Sequence, residues 1–134
     1  MTYVDSNYWT YWLDSRLPEH KRASALMREV IEGEVLMSYV TLIEIGHYLR
    51  LLPKAEFSEK MEMILDLSTL KLVDLNDAIA RRAMDLLSRF SGKGLGGRDC
   101  MIIATMETHG LKDILTHDKA FARVEWLRVT DVLS

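Results

Sequence analysis

The hydrophobic and polar residues of the chain follow two alternating patterns, and these predict a succession of strands and helices. Short apolar runs predict strands at residues 2–5, 35–38, 70–73, 114–116 and 127–130. Between these runs, apolar residues recur every three to four positions. This spacing predicts helices at residues 8–13, 23–31, 41–52, 57–67, 76–90 and 98–109. Gly33 and Gly110 suit helix ends, Pro53 stops the third helix, and Asn76 caps the fifth.

The order of these elements predicts an α/β fold. Strands that alternate with helices favour a mostly parallel sheet with helices on both faces. The 134 residues fall within the usual size of one domain, so we expect residues 1–134 to form a single domain. Ligands of such folds bind beyond the carboxyl ends of the strands, where the strand order reverses. Candidate functional residues are therefore expected just after the strands.

The composition excludes several classes of protein. Hydrophobic residues make up 49% of the chain and charged residues 28%, which excludes a disordered chain. The single cysteine, Cys100, excludes an intramolecular disulfide, and its apolar neighbours predict a place in the core. A formal net charge of -3 argues against nucleic-acid binding through bulk positive charge. The sequence has no apolar run long enough for a membrane span and no secretory signal, so we expect a cytoplasmic protein.

Four acidic residues stand where a parallel sheet would bring them together. Asp5 ends the first strand, and Glu44 is expected in the first turn of the helix after the second. Asp99 lies in the first turn of the helix after a glycine-rich loop, and Asp118 follows the fourth strand. Converging carboxylates repel each other and are costly to desolvate, so such a cluster makes sense mainly around a hard cation. Oxygen ligands without cysteine point to Mg²⁺ or Mn²⁺.

Each acid also has a purely structural interpretation, which is the better one for any of them taken alone. Asp5 can cap the following helix, and Asp99 suits the positive end of a helix dipole. Thr41 and Glu44 match a capping box, and Asp118 fits a turn. Other acids in similar settings are interpreted as caps or turns: Asp74, Asp77 and Asp113.

Four segments resemble the signature motifs of the PIN domain family. They are Asp-Ser-Asn at 5–7, Ser-Tyr-Val-Thr-Leu-Ile-Glu at 38–44, Gly-Gly-Arg-Asp-Cys-Met-Ile-Ile-Ala at 96–104 and Leu-Thr-His-Asp-Lys-Ala-Phe at 115–121. Each motif is weak alone, but all four occur in the family's order and span nearly the whole chain. The compact length is most similar to that of the VapC toxins of prokaryotic toxin–antitoxin pairs.

This resemblance implies a fold and an activity. The fold is a three-layer α/β/α domain with a mostly parallel sheet of about five strands. The activity is RNA phosphodiester hydrolysis that depends on Mg²⁺ or Mn²⁺ and leaves a 5′-phosphate and a 3′-hydroxyl. The resemblance also implies a homodimer and a partner antitoxin that blocks the site.

The resemblance further assigns roles to individual residues. The four acids match the family's metal-binding catalytic residues: Asp5, Glu44, Asp99 and Asp118. Asn7 and Thr116 match the polar neighbours that orient ligands or the attacking water. None of the four acids departs from the family pattern.

Basic residues offer candidate contacts for RNA phosphates. Five of them fall between residues 81 and 98: Arg81, Arg82, Arg89, Lys93 and Arg98. A phosphate backbone could follow such a patch. A solvated helix face explains Arg81, Arg82 and Arg89 equally well. Arg98 beside Asp99 is the stronger candidate, and Lys119 beside Asp118 is another.

Other motifs carry less weight. Glu44 and His47 form a single Glu-x-x-His pair, whereas a di-iron bundle needs two such pairs and long helices. The glycine-rich loop lacks the spacing of a phosphate-binding Walker sequence. The aromatic run at residues 8–12 fits the core or a protein interface better than base stacking. The predicted helix at 57–67 could likewise serve an interface.

Two alternatives compete with the nuclease hypothesis. A phosphoacceptor receiver domain is also an acidic α/β sheet that binds Mg²⁺, and Asp74 could mimic its acceptor. Asp5, however, has no acidic neighbour, and the arrangement of Thr or Ser and Lys that a receiver needs is missing. The second alternative is a catalytically silent PIN-like module that only binds a partner or RNA.

Overall fold

The computed structural model describes residues 1–133 and contains a five-stranded sheet. In chain order the strands are β1 (Thr2–Val4), β2 (Val35–Ser38), β3 (Leu70–Val73), β4 (Asp113–Leu115) and β5 (Arg128–Thr130). The α-helices are α1 (Ser6–Leu13), α2 (His20–Val30), α3 (Tyr39–Leu49), α4 (Lys54–Leu65), α5 (Asp77–Arg89) and α6 (Gly97–Thr108). A short 3₁₀ helix, Lys119–Arg123, follows β4.

All pairings in the sheet are parallel, and the strand order is β3-β2-β1-β4-β5. The chain first builds outward from β1 through β2 to β3, and then returns to the other side of β1 to add β4 and β5. The order therefore reverses between β1 and β4, which is where a ligand site is expected in such a sheet. The predicted α/β fold with a parallel sheet of about five strands is confirmed.

The strands send alternate side chains to two separate cores. Tyr3 and Ile114 face one core, which α5 and α6 cover. Their neighbours Val4 and Leu115 face the other, which α1, α2, α3 and α4 cover. Both faces are buried in the inner strands β1, β2 and β4, which therefore appear in the sequence as mainly apolar runs. The edge strands β3 and β5 keep exposed residues such as Lys71 and Arg128.

The predicted capping box at the start of α3 is wrong. The helix begins two residues earlier, at Tyr39, and its N-cap is Ser38. Thr41 lies inside the helix, where its hydroxyl hydrogen-bonds the buried hydroxyl of Tyr3 at 2.6 Å. Glu44 is consequently free of any capping role, and its side chain points to the edge of the sheet.

The interpretation of Asp113 as a cap or turn is also wrong. Asp113 is the first residue of β4 and pairs with Arg128 on the neighbouring strand β5. Asp77 does lie in the first turn of α5, which Asn76 caps by accepting from the Ile79 backbone N–H at 2.9 Å.

Several core predictions are confirmed. Cys100, Tyr8 and Trp9 are buried in the core.

Within residues 1–133, no helix combines the length and apolarity needed to cross a bilayer.

Candidate active site

Asp5 is fixed at the carboxyl end of β1 by neutral donors. Its Oδ1 accepts from the backbone N–H of Ser6 at 2.7 Å, so the predicted cap of α1 is present. Its Oδ2 accepts from the hydroxyl of Thr116, just beyond β4, at 2.6 Å. The side chain is almost completely buried. Each oxygen of the carboxylate therefore accepts a hydrogen bond from a neutral group, which fixes its position.

Thr116 connects three parts of the site. Besides donating to Asp5, its hydroxyl accepts from the backbone N–H of Asp118 at 3.0 Å and from Asn7 Nδ2 at 3.4 Å. Asn7 in turn accepts from the backbone N–H of His117 at 3.3 Å. Both predicted polar neighbours thus lie in the site, where they tie the loop after β4 to the start of α1.

Glu44 reaches the site from the second turn of α3. The start of this helix is anchored by Tyr3, whose hydroxyl also contacts the Ser38 hydroxyl at 3.0 Å. The carboxylate of Glu44 accepts from the hydroxyl of Ser6. Its side chain is 36% exposed, which makes it the most open of the acids that pair with Arg98.

Asp99 and Asp118 lie near each other, close enough for the charge of Asp118 to act on Asp99. Asp99, in the first turn of α6, accepts from the backbone N–H of Gly96 at 3.3 Å. Burial, together with the nearby charge of Asp118, raises the pKa of Asp99 despite the opposing effects of Gly96 and Arg98. Asp118 accepts from the backbone N–H of Ala120 at 3.0 Å and caps the 3₁₀ helix. Both acids thus have the structural roles expected of them and still contribute charge to the cluster.

The guanidinium of Arg98 lies among the acids. It forms ion pairs with Asp5, Glu44 and Asp99. Burial of the guanidinium lowers its pKa, but the three carboxylates outweigh this effect and raise the pKa of Arg98 above its ordinary value. Arg98 is therefore paired with acids here instead of being presented to solvent for a phosphate.

The donor set of the cluster fits a hard divalent ion. It consists of carboxylate oxygens from Asp5, Glu44, Asp99 and Asp118, with the hydroxyls of two neighbouring residues nearby: Ser6 and Thr116. As the side chains stand among residues 1–133, no three His, Cys, Asp or Glu groups are close enough together to enclose an ion. A metal would therefore require the carboxylates to move closer together.

Sequence reasoning missed a partly buried hydrogen-bond network beside the loop that carries Asp118. The carboxylate of Asp131 accepts from Tyr8 Oη at 2.6 Å and pairs with His117 Nδ1 at 2.8 Å. Burial raises the pKa of Asp131, but the hydrogen bonds from Tyr8 and His117 outweigh it, and the net pKa lies below its ordinary value. No sequence pattern identifies Asp131, because its partner Tyr8 lies 123 positions away and the two meet only in the folded protein.

Two open cavities flank the acids. One of about 270 Å³ lies between α1 and α3, with Tyr11 and Tyr48 in its wall and Glu44 at its edge. The other, of about 470 Å³, is lined by Thr116, Asp118 and the exposed Lys119. Lys119 is thus beside the site but outside the ion-pair cluster.

The predicted basic patch on α5 is partly neutralised. Arg81 pairs with Asp77 at 2.8 Å, and Arg82 pairs with Glu107 of α6 at 2.7 Å. These contacts agree with a solvated helix face for Arg81 and a link between two helices for Arg82.

The sequence matches the family model of the PIN domain over residues 2–127. The chain belongs to the PIN domain family. No curated protein matches the sequence significantly.

Solved structures give the same fold for this PIN domain. The toxin VapC20 of Mycobacterium tuberculosis, described as cleaving the sarcin–ricin loop, is 17% identical with a TM-score of 0.79, covering 92% of this chain and 95% of its own. FitAcB of Neisseria gonorrhoeae is 21% identical with a TM-score of 0.74 over 96% of both chains. A toxin–antitoxin complex of Klebsiella pneumoniae is 22% identical with a TM-score of 0.68 over 96% of both chains. At these identities the likeness establishes the shared fold.

Proposed function

We propose that this PIN domain is a divalent-metal-dependent ribonuclease and the toxin of a type II toxin–antitoxin pair. The observation that carries the proposal is the gathering of Asp5, Glu44 and Asp99 around one cationic group where the strand order reverses. Asp118 lies close enough to raise the pKa of Asp99. Removing carboxylates from water is costly, and these four come from four different elements of the fold. Such an arrangement suits a site that binds cations.

In this proposal each residue has a defined task. Asp5, Glu44, Asp99 and Asp118 hold one or two ions of Mg²⁺ or Mn²⁺. Such ions activate water and stabilise charge on the phosphate and the leaving oxygen. Thr116 keeps Asp5 in place through its 2.6 Å hydrogen bond. Together with Asn7, which donates to its hydroxyl, Thr116 orients the water or the substrate.

The surroundings of the acids suit an RNA chain. Lys119 stands exposed beside Asp118 and offers a charge to a phosphate. On the other side, Tyr11 and Tyr48 border a cavity of about 270 Å³ that opens next to Glu44. Aromatic side chains of this kind stack on unpaired bases. A single-stranded RNA could thus cross the acids with a phosphate on one side and a base on the other.

The surface of α3 and α4 supports the proposed protein partners. Large apolar side chains remain exposed there, at Ile43, Leu51, Met63 and Leu65. Leu51, in the turn after α3, is 84% exposed. Exposed apolar side chains of this size favour burial by another protein. We propose that an antitoxin and a second copy of this chain cover them, in keeping with structural relatives described as toxin–antitoxin complexes, such as that of Klebsiella pneumoniae.

The first test is a calorimetric titration of Mn²⁺, extended to about millimolar concentration because carboxylate sites open to solvent can be weak. The parent should bind, whereas Asp5→Asn and Asp99→Asn should each lose binding. Asp77→Asn is the matched control, because it removes an exposed acid of α5 that pairs only with Arg81. Loss of binding in the control as well, or binding unchanged in both site variants, would refute the metal site.

The second test is cleavage of RNA. The purified chain, freed of antitoxin, should cut RNA in the presence of Mg²⁺ or Mn²⁺ and leave 5′-phosphate ends, and a chelator should stop the reaction. Asp5→Asn prepared in parallel should be inactive, which excludes contaminating nuclease.

The alternative is a silent module that binds a partner or RNA without cleaving it. One observation favours it. Three of the acids pair with Arg98, and in their present positions no group of acids among residues 1–133 is close enough together to enclose a metal ion. A well-folded parent that binds no Mn²⁺ would favour this alternative.

A further inference from the structure

Arg98 forms ion pairs with three carboxylates at once. Its Nη2 pairs with Asp5, its Nε with Glu44, and its Nη1 with Asp99 at 2.6 Å. Nη2 also donates to the hydroxyl of Ser6 at 3.2 Å. One internal cation therefore neutralises acids that come from the end of β1, from α3 and from α6.

Arg98 cannot leave this position by losing its charge. An arginine guanidinium keeps its positive charge in proteins. The side chain is 29% exposed, so it has a path toward solvent. Vacating the cluster thus means moving the side chain, and the movement requires another cation to take over the three acids.

A guanidinium and a divalent ion make different demands on the same oxygens. Mg²⁺ binds its oxygen ligands at about 2.0–2.1 Å, which draws them around a single point. A guanidinium presents three separate nitrogens along a planar fork and holds the oxygens apart. In the part of the chain that the structure describes, no three acidic or other metal-binding groups lie close enough together to enclose an ion. The two arrangements therefore exclude each other.

We propose that Arg98 is an intramolecular competitor of the divalent ion. It neutralises Asp5, Glu44 and Asp99 in the metal-free protein, and metal binding displaces it. This inference rests on the proposed function, because it takes these acids to be the metal ligands. Displacement also releases the guanidinium beside the site, which is the condition for its predicted contact with an RNA phosphate.

The test compares Mn²⁺ affinity, by calorimetry, between the parent and Arg98→Gln. A nearby guanidinium shifts the proton-binding equilibrium of a carboxylate by about one to three powers of ten. If it competes with Mn²⁺ to a similar extent, Arg98→Gln should bind Mn²⁺ at least about tenfold more tightly than the parent. Arg81→Gln is the matched control, since it removes the same charge from an exposed pair with Asp77 outside the cluster. Its affinity should stay within about twofold of the parent.

Folding of the variants is checked in parallel. In chelator, Arg98→Gln should melt at a lower temperature than the parent, because three carboxylates lose their counter-charge, and Mn²⁺ should raise its melting temperature more than it raises that of the parent. Arg98→Lys keeps the charge but cannot bridge three acids, so its Mn²⁺ affinity should fall between those of the parent and Arg98→Gln. Equal or weaker Mn²⁺ binding by folded Arg98→Gln would overturn the proposal, since the guanidinium would then be orienting the ligands.

A direct readout uses the parent protein. The side-chain Nε–H signal of Arg98 can be assigned in NMR spectra by its loss in Arg98→Gln. Adding Mg²⁺ should shift this signal as the ion pairs break, and binding of Mg²⁺ without any shift would contradict displacement.

Failure of this inference differs from failure of the proposed function. A parent that binds Mn²⁺ and cleaves RNA, with no gain in affinity for Arg98→Gln, overturns the competition alone. Absence of Mn²⁺ binding in the parent, Arg98→Gln and Arg98→Lys overturns both, because the acids are then not metal ligands.

Discussion

Removing a single oxygen atom in Tyr3→Phe should destabilise the protein, because the hydroxyl joins β1 to the start of α3. It contacts Thr41 at 2.6 Å and Ser38 at 3.0 Å, and it accepts from the backbone N–H of Ser38 at 3.3 Å. All three residues are fully buried. Phenylalanine would fit the same space and leave these partners without water to replace the lost contacts.

The size of the effect follows from those contacts. Each hydrogen bond contributes about 1 kcal/mol net, and a buried polar group left without a partner costs about 1–3 kcal/mol. Some of the partners can turn to other acceptors, so we expect a loss of about 2 kcal/mol in the free energy of unfolding. For 134 residues this corresponds to a fall of about 7 °C in melting temperature.

Urea unfolding and thermal melting in chelator measure this change. Tyr39→Phe is the matched control, because Tyr39 lies on the same helix start but is 43% exposed, and its effect should stay within about 0.5 kcal/mol. If Tyr3→Phe unfolded at the same urea concentration as the control, the hydroxyl would not be anchoring α3. Mn²⁺ affinity should also fall in Tyr3→Phe, since Glu44 projects from that helix.

Three further predictions concern stability. Asp131→Asn should lower stability by about 1 kcal/mol at pH 7. Because the folded pKa of Asp131 lies below its ordinary value, its contribution is present above the unfolded pKa and lost as pH falls through the folded one. The difference in melting temperature between parent and variant should therefore begin to shrink as pH falls below about 4, where the unfolded carboxyl protonates, and a constant difference down to pH 3 would contradict this. Gly94→Ala should cost about 1 kcal/mol or more, because Gly94 has a φ of +80° and a Cβ there would lie 3.2 Å from Arg123 Nη1. Gly97→Ala, which meets no heavy atom within 4 Å at the start of α6, should be neutral or stabilising, and equal losses in the two variants would refute the backbone argument. Asn76→Ala should cost about 1 kcal/mol by removing the cap of α5, and an unchanged urea midpoint would show that the cap contributes nothing.

The sheet could be predicted because its signals are local. The strands predicted at 35–38 and 70–73 have the same bounds in the structure. β2 is a fully buried apolar run, and the edge strand β3 is apolar except for the exposed Lys71. Short runs of this kind can be recognised without information from the rest of the chain. Parallel topology then carries Asp5 and the loop after β4 to the same edge, so their convergence also follows from the order of elements.

Residues whose roles depend on distant partners could not be predicted in this way. Thr41 and Glu44 have the spacing of a capping box, yet the Thr41 hydroxyl is taken by Tyr3, 38 positions earlier. Arg98 looked like a surface contact for phosphate because it adjoins Asp99. Its pairing with Asp5 joins residues 93 positions apart. No local pattern contains these separations, since they are set by how α3 and α6 pack against the sheet.

In this site, the side chains that position the acids differ from the side chain that neutralises their charge. Neutral groups hold the acids in place: Thr116 holds Asp5, and Tyr3 anchors the helix that carries Glu44. The only positive charge that pairs with Asp5, Glu44 and Asp99 in the described structure is Arg98, which is attached by a flexible side chain. A cation can therefore be exchanged without dismantling the hydrogen bonds that position the ligands. Substitutions in the neutral groups should thus change stability and metal affinity together, whereas substitution of Arg98 should move the two in opposite directions.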